Sequence, residues 1–210
     1  MGCVFEKFHW SKSSEGMLII GGRDASSNEL LIKRYMTAND IILHSEFPGA
    51  PFVLIKTEGK QASEKSVNEA AQLAASYSRA WREGIGSVDI YWVNPDQVSK
   101  GAPSGEYLSK GMFMIYGQKN YIHDVSLCIS IGIIKEANQL LVIGGPPTAI
   151  ASQSQYRLEI VPGRIKSGLL AKEIRYRLAK MTPKEMYDII IKISLDDIQQ
   201  FIPAGGGHIR

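Results

Sequence analysis

IGGRDASSNELLIKRY, residues 20–35, is the stretch that decides the fold of the first half of this chain. Two glycines end an apolar run, and Asp24 after them is of a type favoured at helix N-caps, where its carboxylate accepts backbone N–H bonds. Leu30, Leu31 and Tyr35 then recur at helical spacing. The stretch therefore predicts a strand, a glycine turn and a capped helix over residues 25–36.

The flanking segments predict a sheet with packed helices. Residues 8–20 have the pattern of a β-hairpin with its turn at 13–16. Further elements are predicted as strands at 41–44, 52–56, 87–93 and 112–117 and as an alanine-rich helix at 63–81. Because short turns join several of these strands, the fold class is α+β with a mixed, mainly antiparallel sheet.

A second block begins near residue 125 and predicts a C-terminal α/β extension. Its elements are expected as strands at 127–134, 139–143 and 156–161 and as helices at 167–179, 183–193 and 194–201. The final PAGGGHIR, residues 203–210, is expected to be mobile or to be held only by a partner. We predict a core of residues 1–124 and an extension of residues 125–210. Whether the extension is a subdomain or continues the first sheet, packing as one unit with the core, stays open.

Composition narrows the class of protein. The 210 residues include only two cysteines, and no apolar run approaches the roughly 20 residues of a membrane span. Neither a disulfide framework nor a zinc site is expected, and the cytoplasm is the predicted location. Basic and acidic residues number 13 and 14 in residues 1–124 but 11 and 7 in residues 125–210, so the excess positive charge lies late in the chain.

Signatures of catalysis are weak. The GxxxxGK[ST] phosphate loop is missing, and the four histidines form no HxxxH or HExxH pair. We therefore predict no cofactor, no metal and no enzymatic activity. His44 beside Glu46 could orient an imidazole for acid–base chemistry, but a histidine closing a strand beside a polar loop is several times more common.

The turn at Arg23 and Asp24 has two interpretations. In the first, Asp24 caps the helix and Arg23 pairs with a nearby acid. In the second, the exposed N–H groups of the turn and the guanidinium of Arg23 bind a phosphate. The residues alone favour the first slightly. Lys33 and Arg34 on the same helix form either a solvated face or a contact to a nucleic-acid backbone.

A polar, glycine-rich loop at 97–107 is the second candidate surface. Its glycines permit close approach of a ligand, and a lysine and a tyrosine offer charge and a stacking surface. An ordinary long connection is equally consistent with the sequence. The candidate residues here are Gln97, Ser99, Lys100, Gly105 and Tyr107.

The third candidate surface is a basic amphipathic helix within GRIKSGLLAKEIRYRLAK, residues 163–180. Six basic residues stand against one acid, Glu173. The predicted buried stripe consists of Leu169, Leu170, Ile174 and Leu178, with Arg175 on its flank. Such a helix rests on RNA phosphates, on an anionic membrane or in solvent; we favour RNA slightly over the other two. The candidate contacts are Arg164, Lys166, Lys172 and Arg177.

Several motifs together resemble the NFACT-R domain. They are KFHW at 7–10, IIGGRDASSNELLIKRY at 19–35, NDIILH at 39–44, PGAPFVLIK at 48–56, VNEAAQLAASYSRAW at 67–81, YWVNPDQVSKGAPSGEYL at 91–108 and GMFMIYGQKNYI at 111–122. The block from residue 127 onward looks like the extension of archaeal members. The ordered set is specific, although no single motif is.

The resemblance implies a role in ribosome-associated quality control. Proteins of this family bind the large ribosomal subunit when a nascent chain stalls, and they hold tRNA while a tail is added without a message. For these residues it implies contact with tRNA or rRNA and no membrane partner. The family's N-terminal NFACT domains are further expected partners, and tailing depends on them. The matching positions implied as the RNA face are Arg23, Asp24, Lys33, Arg34, His44, Gln97, Ser99, Lys100, Gly105 and Tyr107.

Two alternatives to an RNA-binding module stay open. One is an RNA-modification enzyme domain, in which Asp24, His44 and Lys56 would have to converge in one pocket. The other is a platform that docks a ribosomal protein or another domain of the same family.

Overall fold

The computed structural model describes residues 7–99, 101, 108–137 and 139–210. Antiparallel strands and packed helices confirm the predicted α+β class. The strands are β1 His9–Lys12, β2 Leu18–Gly21, β3 Ile41–His44, β4 Val53–Lys56, β5 Ser87–Val93, β6 Val98–Ser99, β7 Met114–Ile115, β8 Asn120–Ser126, β9 Ile129–Glu136, β10 Gln139–Gly145, β11 Tyr156–Ile165 and β12 Gly207–Ile209. The helices are α1 Ala25–Leu30, α2 Glu64–Ser76, α3 Arg79–Glu83, α4 Pro147–Ala151, α5 Ser167–Met181, α6 Lys184–Ile190 and α7 Leu195–Gln199.

The first sheet has six strands in the order β1-β2-β4-β3-β5-β8. Its opening hairpin confirms the prediction, with His9 opposite Gly21 and Lys12 opposite Leu18. Consecutive residues of a strand point to opposite faces, so Ile19 packs on one side with α2 while Ile20 packs on the other with Leu31. Both faces of this sheet are therefore covered over most of its width.

Two of the predicted helices are not continuous α-helices in the structure. The helix expected at 25–36 is α-helical only to Leu30 and continues as a π-helix over Leu31–Tyr35. The helix expected at 63–81 breaks after Ser76, because the Ser78 hydroxyl accepts the N–H of Ala80 and caps α3 as a new helix. Hydrophobic spacing is the same through such a break, so periodicity alone did not reveal it.

The second block forms its own four-stranded sheet, in the order β10-β9-β11-β12. Strand β8, absent from the sequence prediction, pairs with β5 and leads directly into β9. Buried residues of both sheets share one hydrophobic cluster, in which Leu73 of α2 and Ile131 of β9 take part. The division into residues 1–124 and 125–210 stays a prediction.

The expectation of a tail that is mobile or held only by a partner is wrong, because the tail packs on its own chain. Residues of β12 pair with β11, with His208 opposite Val161. The Trp81 Nε1 donates to the Gly206 carbonyl at 2.5 Å, and the Tyr77 hydroxyl donates to the Phe201 carbonyl at 2.9 Å. Tertiary contacts of this kind leave no local signal in a glycine-rich segment.

Helix α5 is amphipathic as predicted, but its stripe is shifted. Leu170, Ile174 and Leu178 are buried, whereas Leu169 is 61% exposed and does not belong to the core. Ala171 and Ala179 complete the buried face instead. Among the described residues, no helix is long and apolar enough to cross a membrane.

Candidate functional site

A cleft of about 710 Å³ lies where three segments of the first block meet. They are the turn and first residues of α1 (22–28), the loop after β3 (44–52) and the segment before and within β7 (110–115). Tyr77, Tyr91 and Lys119 complete its lining. Of the predicted site residues, Arg23, Asp24 and His44 are brought together here.

The turn before α1 is closed by its own side chains. The Asp24 carboxylate accepts the N–H of Ser27 at 2.7 Å, and the Ser27 hydroxyl accepts the N–H groups of Arg23 and Asp24 at 2.8 Å each. Backbone and side-chain hydrogen bonds from Ser27 lower the pKa of Asp24. The Asp24 cap of the first interpretation is therefore confirmed, whereas the predicted ion pair of Arg23 with a nearby acid is not seen among the described residues. The N–H groups of Arg23, Asp24 and Ser27 are not open to a phosphate.

The glycine before Arg23 is needed for close packing of this turn. The Gly22 N–H donates to the Phe52 carbonyl at 3.0 Å, and Asn28 Oδ1 accepts the Phe52 N–H at 3.1 Å. A Cβ on Gly22 would lie 2.0 Å from Asn28 Oδ1. The turn is thus fixed against β4, and the exposed Arg23 side chain lines the cleft above it.

His44 is held at the wall of the cleft as a neutral ring. Its Nδ1 lies 3.0 Å from the Pro51 carbonyl, and its ring stacks on Phe52 with centroids 4.1 Å apart. Burial lowers the pKa of His44, so the ring is neutral at pH 7. Nδ1 therefore donates to Pro51, which leaves Nε2 as a hydrogen-bond acceptor.

Positive charge reaches the cleft from three side chains. Arg23 and Lys110 form no ion pair within the described residues, whereas Lys119 contacts Glu46 at 2.6 Å and lies 4.5 Å from the centroid of the Tyr91 ring. Sequence reasoning missed both lysines. A single lysine in a loop has no local signal that distinguishes it from ordinary surface charge.

The other described candidates of the first block, Lys33, Arg34, Gln97 and Ser99, do not line this cleft. Lys33 pairs with Glu29, and Arg34 is exposed. The Gln97 amide donates to the carbonyls of Tyr116 and Gln118 at 2.8 Å each, which gives it a structural role. Ser99 pairs with Met114 between β6 and β7. Lys100, Gly105 and Tyr107 lie outside the described residues.

The basic residues of the second block form a separate surface. Arg164, Lys166, Lys172 and Arg177 are all exposed, and none of them lines the cleft. Arg177 pairs with Glu173 at 2.5 Å, one turn away on α5. The Lys180 ammonium lies 4.4 Å from the centroid of the exposed Tyr176 ring.

The three residues of the enzyme alternative are not brought together in the cleft. Lys56 does not line it; its ammonium pairs with the buried Asp40 carboxylate and donates to the Tyr35 carbonyl at 2.5 Å. Within the described ranges, no three potential metal ligands lie together. The geometry gives the enzyme alternative no support.

Fold and cleft together define a class, a small α+β binding domain with an open basic and aromatic cleft. The family model described as "NFACT protein RNA binding domain" matches residues 7–117, a range that holds nearly the whole lining of the cleft. The chain belongs to this NFACT-R family.

Two curated proteins are similar to this chain in sequence. The "Archaeal Rqc2 homolog aRqcH" of Methanocaldococcus jannaschii is 36% identical over 205 residues, which cover 98% of this chain and 29% of that protein. The "Ribosome quality control complex subunit NEMF homolog" of Drosophila melanogaster is 47% identical over 131 residues, which cover 62% of this chain and 13% of that protein. The chain thus spans less than a third of either relative.

A solved structure with weaker similarity is the C-terminal part of the fibronectin/fibrinogen-binding protein from Streptococcus suis. Its TM-score is 0.49 at 19% identity, over 57% of this chain and 45% of that chain. At this level the similarity bears on neither fold nor function.

His9 beneath the cleft makes stability depend on pH. Its ring stacks on Tyr77 with centroids 3.7 Å apart, and its Nδ1 is buried without a partner. Burial, with a smaller contribution from the charge of Arg23, lowers the pKa of His9 to about 3. The unfolded chain binds this proton near pH 6.5 and the folded chain does not, so stability falls as pH decreases through this window.

Between pH 7 and pH 5, we expect the free energy of unfolding of wild type to fall by about 2 kcal/mol because of His9. His9→Phe should lack this part of the loss, because phenylalanine keeps a stacked ring but does not titrate. Urea unfolding at both pH values measures the effect. His208→Phe, at an exposed position on β12, is the control. Equal losses in wild type and His9→Phe would contradict the assignment.

Proposed function

We propose that this chain is an RNA-binding module of a cytoplasmic ribosome quality-control factor, and that it contacts tRNA or rRNA of the large subunit. The supporting observation is that the residues matched by the RNA-binding family model build the cleft that contains Arg23, His44 and Lys110. The N-terminal NFACT domains of a full-length protein are its partners in cis.

The chemistry of the cleft suits RNA. Arg23 and Lys110, which line the cleft and have no ion pair within the described part of the chain, offer donors for phosphate oxygens, and Arg23 can do so in a bidentate way. The neutral His44 adds an acceptor for a base or a ribose hydroxyl. The Asp24 carboxylate is engaged as a helix cap, which makes its role structural.

The exposed basic side chains of the second block form a second contact with RNA in this proposal. Arg164, Lys166, Lys172 and Arg177 surround the start and middle of α5 and add electrostatic affinity without sequence preference. Lys33 and Arg34 contribute in the same way. Lys100, Gly105 and Tyr107 remain candidates from the sequence.

Of the two alternatives, catalysis on RNA is the less supported, because Lys56 is part of a structural ion pair and does not line the cleft. A protein-docking platform predicts binding to ribosomal proteins in the absence of RNA. Crosslinking of the chain on ribosomal particles distinguishes this outcome from contact with RNA.

The proposal predicts RNA affinity that depends on the cleft. Purified tRNA and large ribosomal subunits should bind at low salt, with an affinity that falls steeply as salt rises because counterions are released. The double variant Arg23→Ala, Lys110→Ala should weaken binding about tenfold or more and lower the salt slope by about 2. Fluorescence anisotropy with labelled tRNA measures both effects.

The matched control is Lys135→Ala, because Lys135 is exposed at the end of β9 and does not line the cleft. It should leave the affinity unchanged. Equal weakening by the control would assign the effect to net charge alone. No binding of wild type to either RNA at low salt would overturn the proposed function.

A further inference from the structure

A row of aromatic side chains crosses the first sheet from the cleft to its edge. His44 on β3 lies opposite Tyr91 on β5, and Tyr91 lies opposite Tyr121 on β8. Phe52, just before β4, stacks on His44. The ring centroids of His44 and Tyr91 are 6.0 Å apart and those of Tyr91 and Tyr121 are 5.8 Å apart. Their register places all of these rings on one face of the sheet.

Exposure rises steeply along this row. Phe52 and Tyr91 are each 3% exposed, whereas Tyr121 is 45% exposed and the side chain of His123, two residues further along β8, is 70% exposed. The cause is topological. The π-helical segment after α1 packs on this face over β2, β3 and β4, while β8 is the edge strand.

The two exposed rings are oriented by carboxylates. Tyr121 and His123 are parallel within 7°, with centroids 5.8 Å apart. The Tyr121 hydroxyl donates to Glu46 Oε1 at 2.9 Å, and His123 Nδ1 lies 2.8 Å from Asp89 Oδ2. Asp89 is itself fixed, since its Oδ1 accepts the Asp124 N–H at 3.0 Å. The rings are therefore held in place before any ligand binds.

We propose that Tyr121 and His123 form a platform on which an unpaired RNA base stacks. This inference rests on the proposed function and specifies its substrate as RNA with single-stranded bases, such as a loop or an end. Splayed bases stack on Tyr and His rings, whereas paired bases in a helix do not expose a face.

The surroundings favour RNA as the occupant. The platform is continuous with the cleft. Tyr91 and Glu46 line the cleft and contact Tyr121, and Lys119, which also lines the cleft, contacts Glu46. Both carboxylates near the rings are already engaged, Glu46 by Lys119 and Asp89 by His123. Lys119 and Lys110 place positive charge along the path that a phosphate backbone would follow from the platform into the cleft.

The test uses a single-stranded oligoribonucleotide containing 2-aminopurine, whose fluorescence is quenched when the base stacks, and a duplex of the same sequence. Wild type should quench the single strand and bind it more tightly than the duplex. Tyr121→Ala and His123→Ala should each weaken single-strand binding about 5- to 100-fold and abolish or reduce the quenching. Tyr121→Phe keeps the ring and should restore the quenching.

The matched control is Tyr176→Ala, which removes a tyrosine of similar exposure, 46%, from α5. Its quenching should equal that of wild type. If wild type binds tRNA but Tyr121→Ala and His123→Ala bind and quench the single strand as wild type does, this inference fails and the proposed function stands. If wild type binds no RNA, both fail. If an arginine-rich peptide bound wild type in place of RNA, and Tyr121→Ala abolished the binding of that peptide, the assignment of an RNA base to the platform would be overturned.

Discussion

Gly206→Ala is expected to lower the free energy of unfolding by at least about 3 kcal/mol. Gly206 has φ +86, in the left-handed region that costs a residue with a Cβ about 1–2 kcal/mol. The added Cβ would also lie 2.0 Å from the Ile165 carbonyl oxygen, so β11 and β12 would have to separate. The hydrogen bond from Trp81 to the Gly206 carbonyl would be strained in turn.

Gly16→Ala is the matched control for this effect. Gly16 has nearly the same dihedral, φ +84, but a Cβ there would meet nothing within 4 Å. We expect only the backbone cost of about 1 kcal/mol. Urea unfolding followed by circular dichroism gives both values. A loss at Gly206 no larger than at Gly16 would show that the C-terminal segment is not built into the fold as described.

Lys56→Met is expected to cost about 3–5 kcal/mol, because it leaves a buried carboxylate without its cation. The Asp40 side chain is fully buried, with 0% exposure, and Lys56 is 18% exposed. Without Lys56, Asp40 Oδ2 would keep the Thr37 N–H at 2.8 Å, and its Oδ1 already lacks a partner. Methionine keeps most of the apolar length of the lysine side chain, so the loss reports the ion pair.

Lys33→Met is the control, since Lys33 forms a surface pair with Glu29 at 45% exposure. Surface pairs contribute little, and we expect a change within about 0.5 kcal/mol. RNA affinity should be unaffected by Lys56→Met under conditions where the variant is folded. A stable Lys56→Met variant that loses RNA binding would instead assign Lys56 to the functional site.

The first block shows how far local patterns reach. The hairpin at 8–20 and the strands β3, β4 and β5 were predicted within a residue or two, because alternation and turn residues specify them locally. The break between α2 and α3 was not predicted, because Ser78 caps a helix only after the chain turns there. Strand β8, NYIHDVS, has weak alternation and is recognisable only by its pairing with β5.

The lining of the cleft likewise contains residues that were predicted from the sequence and residues that were not. Arg23 and Asp24 were singled out from a local feature, a glycine turn before a helix cap, whereas the resemblance implied His44 as an RNA contact; all three line the cleft. Lys110 and Lys119 were missed, because their position at the cleft depends on how residues 110–111 pack against α1 and on how β8 pairs with β5. The Tyr121–His123 platform depends on strand order, which places β8 at an edge.

The sequence by itself determined the α+β class, the glycine turn with its Asp24 cap, the basic character of α5 and the resemblance to the NFACT-R family. The first three follow from residue propensities and spacings within a few turns of chain, whereas the resemblance follows from the ordered set of motifs. Only the tertiary structure decided that residues 207–209 within PAGGGHIR form a strand, that Lys56 is a structural cation and that exposed rings lie beside the cleft. Each of these depends on contacts between residues far apart in sequence, such as Trp81 with Gly206, which no local pattern encodes.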